Sequence, residues 1–98
     1  MLTKAEEERL NLLQEECAEI IQAVSKIKRF GFDSKKPRDP DGPNNKEHLE
    51  TELGGLAAVL DLMIVAGDVD EEHCEAAQMA KACSIHTYTK HQGEECEA

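Results

Sequence analysis

The chain has little of what would let it cross a membrane, grip a nucleic-acid duplex or cross-link itself. Its longest apolar run, Leu56 to Ala66, is broken by Asp61 and falls far short of the roughly 20 residues that a membrane span requires. Basic residues are scarce, 11 Lys and Arg against 21 Asp and Glu. The resulting net charge of −10 argues against a duplex nucleic-acid binder, whose affinity comes mostly from basic contacts to phosphate. The cysteines Cys17, Cys74, Cys83 and Cys96 contain no Cys-x-x-Cys pair. They read as reduced thiols, with a structural zinc or a disulfide as the alternative. Tryptophan is absent, and Phe30, Phe32 and Tyr88 are the whole aromatic complement. The chain opens on charged, helix-like sequence with no signal peptide, so the expected location is the cytoplasm.

What the chain does have is helical periodicity. Its 98 residues suit one domain, expected over 1–92 and including a loop at 31–44, with 93–98 as a flexible tail. Thr3-Lys4-Ala5-Glu6 matches a capping box. Leu10, Leu13, Cys17, Ile20, Val24 and Ile27 then recur three and four apart, which predicts a first helix ending near Arg29. All three prolines fall in the next segment, which can hold neither a helix nor a central strand. A loop this long in a small domain is more often functional than decorative.

A second helix is predicted from about Asn45 to Ala66, capped by Asn44 or Asn45. Leu49, Leu53, Leu56, Leu60 and Met63 make its main stripe, but Ala57, Val59, Leu62 and Val65 carry apolar character nearly all round it. Such a helix is buried on several sides, which three helices of one chain struggle to achieve. A symmetric homodimer or homotetramer with this helix at its centre is therefore expected. A third helix is predicted from Asp68 or Asp70 to about His91, with a weaker apolar face.

The chemistry is carried by acids. Glu15, Glu16 and Glu19 lie within the first helix, and Glu52 projects from the leucine-rich wall of the second. Glu15 and Glu19 are four apart with like charge, which mildly destabilises a helix unless a cation sits between them. Glu52 has Leu49, Leu56 and Val59 as helical neighbours, where an unpaired carboxylate is costly. A salt bridge to Lys81 or Arg29 would relieve it structurally, just as a solvated face would explain the other acids. Two helices aiming acids at a shared face form a site for a hard divalent cation such as Mg²⁺, and that ion in turn points to phosphate substrates. A basic group, Lys26, Lys28, Arg29, Lys35, Lys36 and Arg38, surrounds the start of the loop in this otherwise acidic chain. The histidines share no metal-ligand spacing with one another.

Glu15-Glu16-Cys17-Ala18-Glu19 followed by Glu52-Leu53-Gly54-Gly55 resembles the two-part Glu-Glu-x-x-Glu and Glu-x-x-Asp signature of the MazG-like all-α nucleoside triphosphate pyrophosphohydrolases. The resemblance covers roughly residues 9–66, with Arg29-Phe30-Gly31 after the first helix. It implies an all-α bundle of three main helices assembled as a dimer or tetramer. It also implies Mg²⁺-dependent splitting of a nucleoside triphosphate into a monophosphate and pyrophosphate, with Mn²⁺ as a substitute ion. On that reading Glu16, Glu19 and Glu52 hold the metal, and Glu15 orients the attacking water. Lys26 and Arg29, with Lys28, bind phosphates, while Phe30 and Phe32 are candidates to stack on a base. One departure stands out: Gly55 occupies the place of the fourth acid, so a weak enzyme or a non-hydrolysing nucleotide- or partner-binding module is the alternative.

Overall fold

A computed structural model describes residues 1–94. Among them the chain is all-helical, without a strand: α1 spans Lys4–Phe30, α2 Asn45–Ala66 and α3 Glu71–Ser84, followed by a short 3₁₀ turn at Ile85–Thr87. Residues 95–98, which hold Cys96 and most of the expected tail, lie outside the described residues. No described helix is long and apolar enough to cross a membrane. Cys17, Cys74 and Cys83 are unbridged thiols.

The first two helices begin with the same device. Thr3 Oγ1 accepts from the Glu6 amide at 3.1 Å while Glu6 Oε1 accepts from the Thr3 amide at 2.7 Å. At α2, Asn44 Oδ1 accepts from the Glu47 amide at 2.8 Å and Glu47 Oε1 from the Asn44 amide at 3.0 Å. Each reciprocal pair satisfies two amides that a helix start would otherwise leave open. α2 stops at Gly67, whose φ of +84° is left-handed backbone open to glycine at little steric cost.

The chain divides into two compact units, 1–68 and 69–98. In the first, α1 and α2 pack as an antiparallel hairpin. Arg9 clamps its open end through a two-pronged pair with Asp68, Nη2 to Oδ1 at 2.9 Å alongside Nε to Oδ2. The Arg9 guanidinium holds the Asp68 carboxyl below its ordinary value, mainly by direct hydrogen bonding. At the closed end the proline-rich loop is tied back onto α2. The Asn45 amide donates to Ser34 O and the Lys46 amide to Phe32 O, both at 2.9 Å, and Asn45 Nδ2 donates to Gly31 O at 3.0 Å. Lys35 and Asn44 form a lone antiparallel bridge.

The inward faces are rotated from the stripes read in the sequence. On α1 the half-buried or buried line is Arg9, Leu13, Glu16, Ile20, Ala23 and Ile27, whereas Leu10, Cys17 and Val24 are exposed. On α2 it is Leu49, Glu52, Gly55, Leu56, Val59 and Met63, while Leu53 and Leu60 face outward. The periodicity agrees and the phase differs: each helix turns so that an acid, not an extra leucine, lies against its neighbour. Glu16 therefore sits half-buried within the packed seam. Among the described residues only Ala23, Val59 and Met63 are buried apolar groups, and Ile21, Leu53, Leu62 and Val65 stay exposed at 67, 47, 46 and 87 %.

In the second unit, Asp70 caps α3 by accepting from the His73 amide at 2.9 Å. The helix ends at Ser84, short of the predicted His91. Hydroxyls compete for its last carbonyls: Ser84 Oγ donates to Lys81 O, Thr87 Oγ1 to Ser84 O, and Thr89 Oγ1 to Ile85 O. Such local bonds offer the backbone an alternative to helix continuation, and the β-branched residues there are weak helix formers.

Candidate functional site

The seam of the hairpin carries three acids at one level. Glu16 and Glu19 come from α1 and Glu52 from α2, with one carboxylate oxygen of each within 4.8 Å of the others. Antiparallel packing makes this meeting possible, because the three-residue spacing of Glu16 and Glu19 puts both on the side of α1 nearest α2. Glu15 is exposed and stands outside the trio.

The three acids differ in their surroundings. Glu16 Oε2 is buried with no hydrogen-bond partner. A buried acceptor left open is uncommon and costly, and a cation is one of the few things that relieves it. The Glu52 carboxyl is pushed up to about 7, first by a hydrogen bond shared with Glu19, then by burial and the nearby charges of Glu19 and Glu16. Close like charges and burial thus favour the protonated form of the Glu52 carboxyl. His48, one turn before Glu52, places Nε2 at 3.3 Å from Glu52 Oε1. Arg29, considered from the sequence as a partner for Glu52, does not pair with it: its guanidinium lies 5.2 Å from the centre of the Phe30 ring.

Gly55 has a role that the sequence did not reveal. It lies half-buried against Glu16, and a Cβ built there would come 2.5 Å from Glu16 Oε2. The glycine makes the room in which the Glu16 carboxylate approaches α2. Its neighbour Gly54 has nothing within 4 Å of the equivalent position. Any side chain at position 55 would displace Glu16, so the glycine and the close approach of Glu16 are one feature of the packing. All three carboxylates supply hard oxygen donors within 4.8 Å of one another, one of them a buried oxygen without a partner, a set that fits Mg²⁺ or Mn²⁺.

Beyond His48, toward the loop, a cavity of about 500 Å³ opens between the end of α1, the loop and the start of α2. Lys26, Arg29 and Phe30 line it, together with Lys35, Lys36 and His48. Lys28 and Phe32 do not, and Phe32 is 56 % exposed. His48 was legible only as a residue four before Glu52, a spacing that places the two side chains together on a helix. No protein-family model, curated protein or solved structure matches this chain.

Proposed function

We propose that this chain is a Mg²⁺-dependent nucleoside triphosphate pyrophosphohydrolase of MazG-like kind, with Mn²⁺ able to replace Mg²⁺. The observation that carries this reading is the open, buried Glu16 oxygen in a trio with Glu19 and Glu52, the acids of the two-part motif. Those three carboxylates hold the ion, which when bound supplies charge neutralisation at the phosphate oxygens. Lys26 and Arg29 draw the phosphates toward the seam, and Phe30 offers an apolar face to the base. Glu15, one turn before Glu19 on the exposed side, orients a water and takes its proton as that water attacks the α-phosphorus. The bond between the α-phosphorus and its bridging oxygen breaks, and pyrophosphate leaves. House-cleaning of the nucleotide pool is the role such an activity serves, with the cytoplasm as its location.

Assembly belongs to the same reading. Ile21, Leu53, Leu62 and Val65 are exposed apolar side chains of the hairpin, which a homodimer or homotetramer would cover. Gly55 favours a second reading, a MazG-like module that binds nucleotides or partners without hydrolysing them. Incubation with standard and modified triphosphates and Mg²⁺ separates the two. Pyrophosphate release that disappears in Glu19→Gln and Glu52→Gln supports the enzyme. Absence of turnover for every triphosphate, at high concentration of a folded protein, leaves the binding module.

A further inference from the structure

The loop pocket has a charge balance opposite to that of the chain around it. Lys26, Arg29, Lys35 and Lys36 line it against a single acid, Asp39, in a protein of net charge −10. None of these four cations lies within 4.0 Å of a carboxylate among the described residues: the ion pairs are Arg9–Asp68, His48–Glu52 and His91–Glu94. Lys35 Nζ reaches a backbone carbonyl, Pro40 O, at 3.4 Å, and Arg29 lies over Phe30. With 21 acids available, pairing would have been easy.

The start of α2 adds no free amides, which narrows how an anion could be held. The Asn45 and Lys46 amides donate to loop carbonyls, the Glu47 amide to Asn44 Oδ1, and the His48 amide to Asn44 O. Side-chain cations are therefore the anion-binding groups. The same bonds fix the loop against α2, so the cavity stands ready without a ligand. Its volume of about 500 Å³ is that of a small-molecule site and exceeds what a lone phosphate needs, and Phe30, Pro37 and Pro43 supply apolar wall.

We propose that this pocket binds a nucleoside phosphate by itself, without a divalent cation, with Lys35 and Lys36 of the loop among its phosphate-binding groups. It thereby captures the nucleotide before the acid seam is loaded. Glu19 and Lys26 are seven residues apart on α1, about 10 Å along the helix, so the pocket adjoins the seam without sharing its acids. The inference rests on the nucleotide-hydrolase reading only for the hydrolysis after capture; the binding step needs neither metal nor turnover.

The test is calorimetric titration of the full chain, in EDTA, with a nucleoside triphosphate and separately with inorganic pyrophosphate. Expected is saturable binding of the triphosphate that weakens at least ten-fold when salt is raised to about 1 M, where screening acts over about 3 Å. Pyrophosphate, lacking the base, binds more weakly. The exposed loop change Lys35→Gln/Lys36→Gln is expected to weaken triphosphate binding about ten-fold, given up to about five-fold for each exposed ionic contact. Lys4→Gln/Lys90→Gln, on exposed lysines outside the pocket, is expected to leave it unchanged. No binding in EDTA, or undiminished binding in the loop variant, overturns the proposal. Metal-free binding without hydrolysis would leave the pocket standing and remove the enzyme; hydrolysis without metal-free binding would do the reverse.

Discussion

The acid seam and the loop pocket sit on the same helical hairpin and gather charge of opposite sign. In the seam, packing forces three carboxylates together between two helices, leaving one oxygen open and raising Glu52 to about 7. In the pocket, four cations line an open cavity, and none of them has a carboxylate within ion-pair reach among the described residues. The seam shows itself through the raised Glu52 carboxyl, and the pocket through cations that lack acid partners. On the proposed reading each collection awaits a ligand of the opposite charge, and each is expected to fail differently when altered.

The sharpest break of the comparison removes a charge from the seam. Glu19→Gln or Glu52→Gln is expected to cut the rate of pyrophosphate release at least about a hundred-fold, since losing a metal ligand forfeits several kcal/mol of charge stabilisation. Removing pocket cations through Lys26→Gln is expected to raise KM several-fold with a smaller change in kcat. Steady-state kinetics on the variants separates these, and equal loss of kcat in both would merge the two regions into one site.

The next effect concerns assembly. Leu60 faces outward at 40 % exposure, so a lysine there can be solvated within one hairpin but not inside an interface of apolar surfaces. Leu60→Lys is expected to convert the oligomer to a folded monomer of about 11 kDa by light scattering and circular dichroism. A wild-type chain already monomeric at micromolar concentration would show that the outward leucines are not an interface.

Titration separates the seam from the Arg9–Asp68 clamp by sign. Glu52 has a folded value above its ordinary 4.5, so its contribution to stability is fully present below 4.5 and is lost as pH rises through about 7. Thermal melts of the metal-free chain are expected to show a seam contribution that declines across that window, and Mg²⁺ to restore it most at the upper end. Asp68 has the reverse sign: its shift is downward, so its contribution holds above 3.8 and fades as pH falls below it. Glu52→Gln is expected to flatten the upper window and leave the lower one alone.

Two adjacent glycines give the smallest and most local contrast. Gly54→Ala meets open space and is expected to stabilise α2 by about 0.5–1 kcal/mol through helix propensity. Gly55→Ala gains the same propensity but displaces the Glu16 carboxylate, and is expected to weaken Mn²⁺ binding about ten-fold, of the order seen when a metal ligand's supporting contacts are removed. Equal effects at the two positions would mean that the close approach of Glu16 has no bearing on the site.

Element identity was legible in the residues because both caps and breakers are local: Thr3 with Glu6, Asn44 with Glu47, and the proline-rich loop each act within a few positions. The phase of each helix was not, since leucines on several faces of α2 leave the inward face to be chosen by what α1 presents. The trio of Glu16, Glu19 and Glu52 could be named from motif order, but the raised Glu52 carboxyl and the open Glu16 oxygen arise only from contact between helices. The end of α3 falls earlier than its periodicity suggests because hydroxyl-to-carbonyl bonds at Ser84, Thr87 and Thr89 override a weak apolar pattern. The loop's lysines were visible as charge, whereas the cavity they line depends on how Asn45 and Lys46 bind the loop backbone.

Titration of the nucleotide-free chain with Mn²⁺ just below neutral pH, in buffers of different ionisation heat, bears most directly on the seam. Saturable binding of Mn²⁺ with release of a proton, abolished in Glu52→Gln, is the predicted result. Absence of saturable binding at millimolar Mn²⁺, or binding retained unchanged in Glu52→Gln, would contradict it.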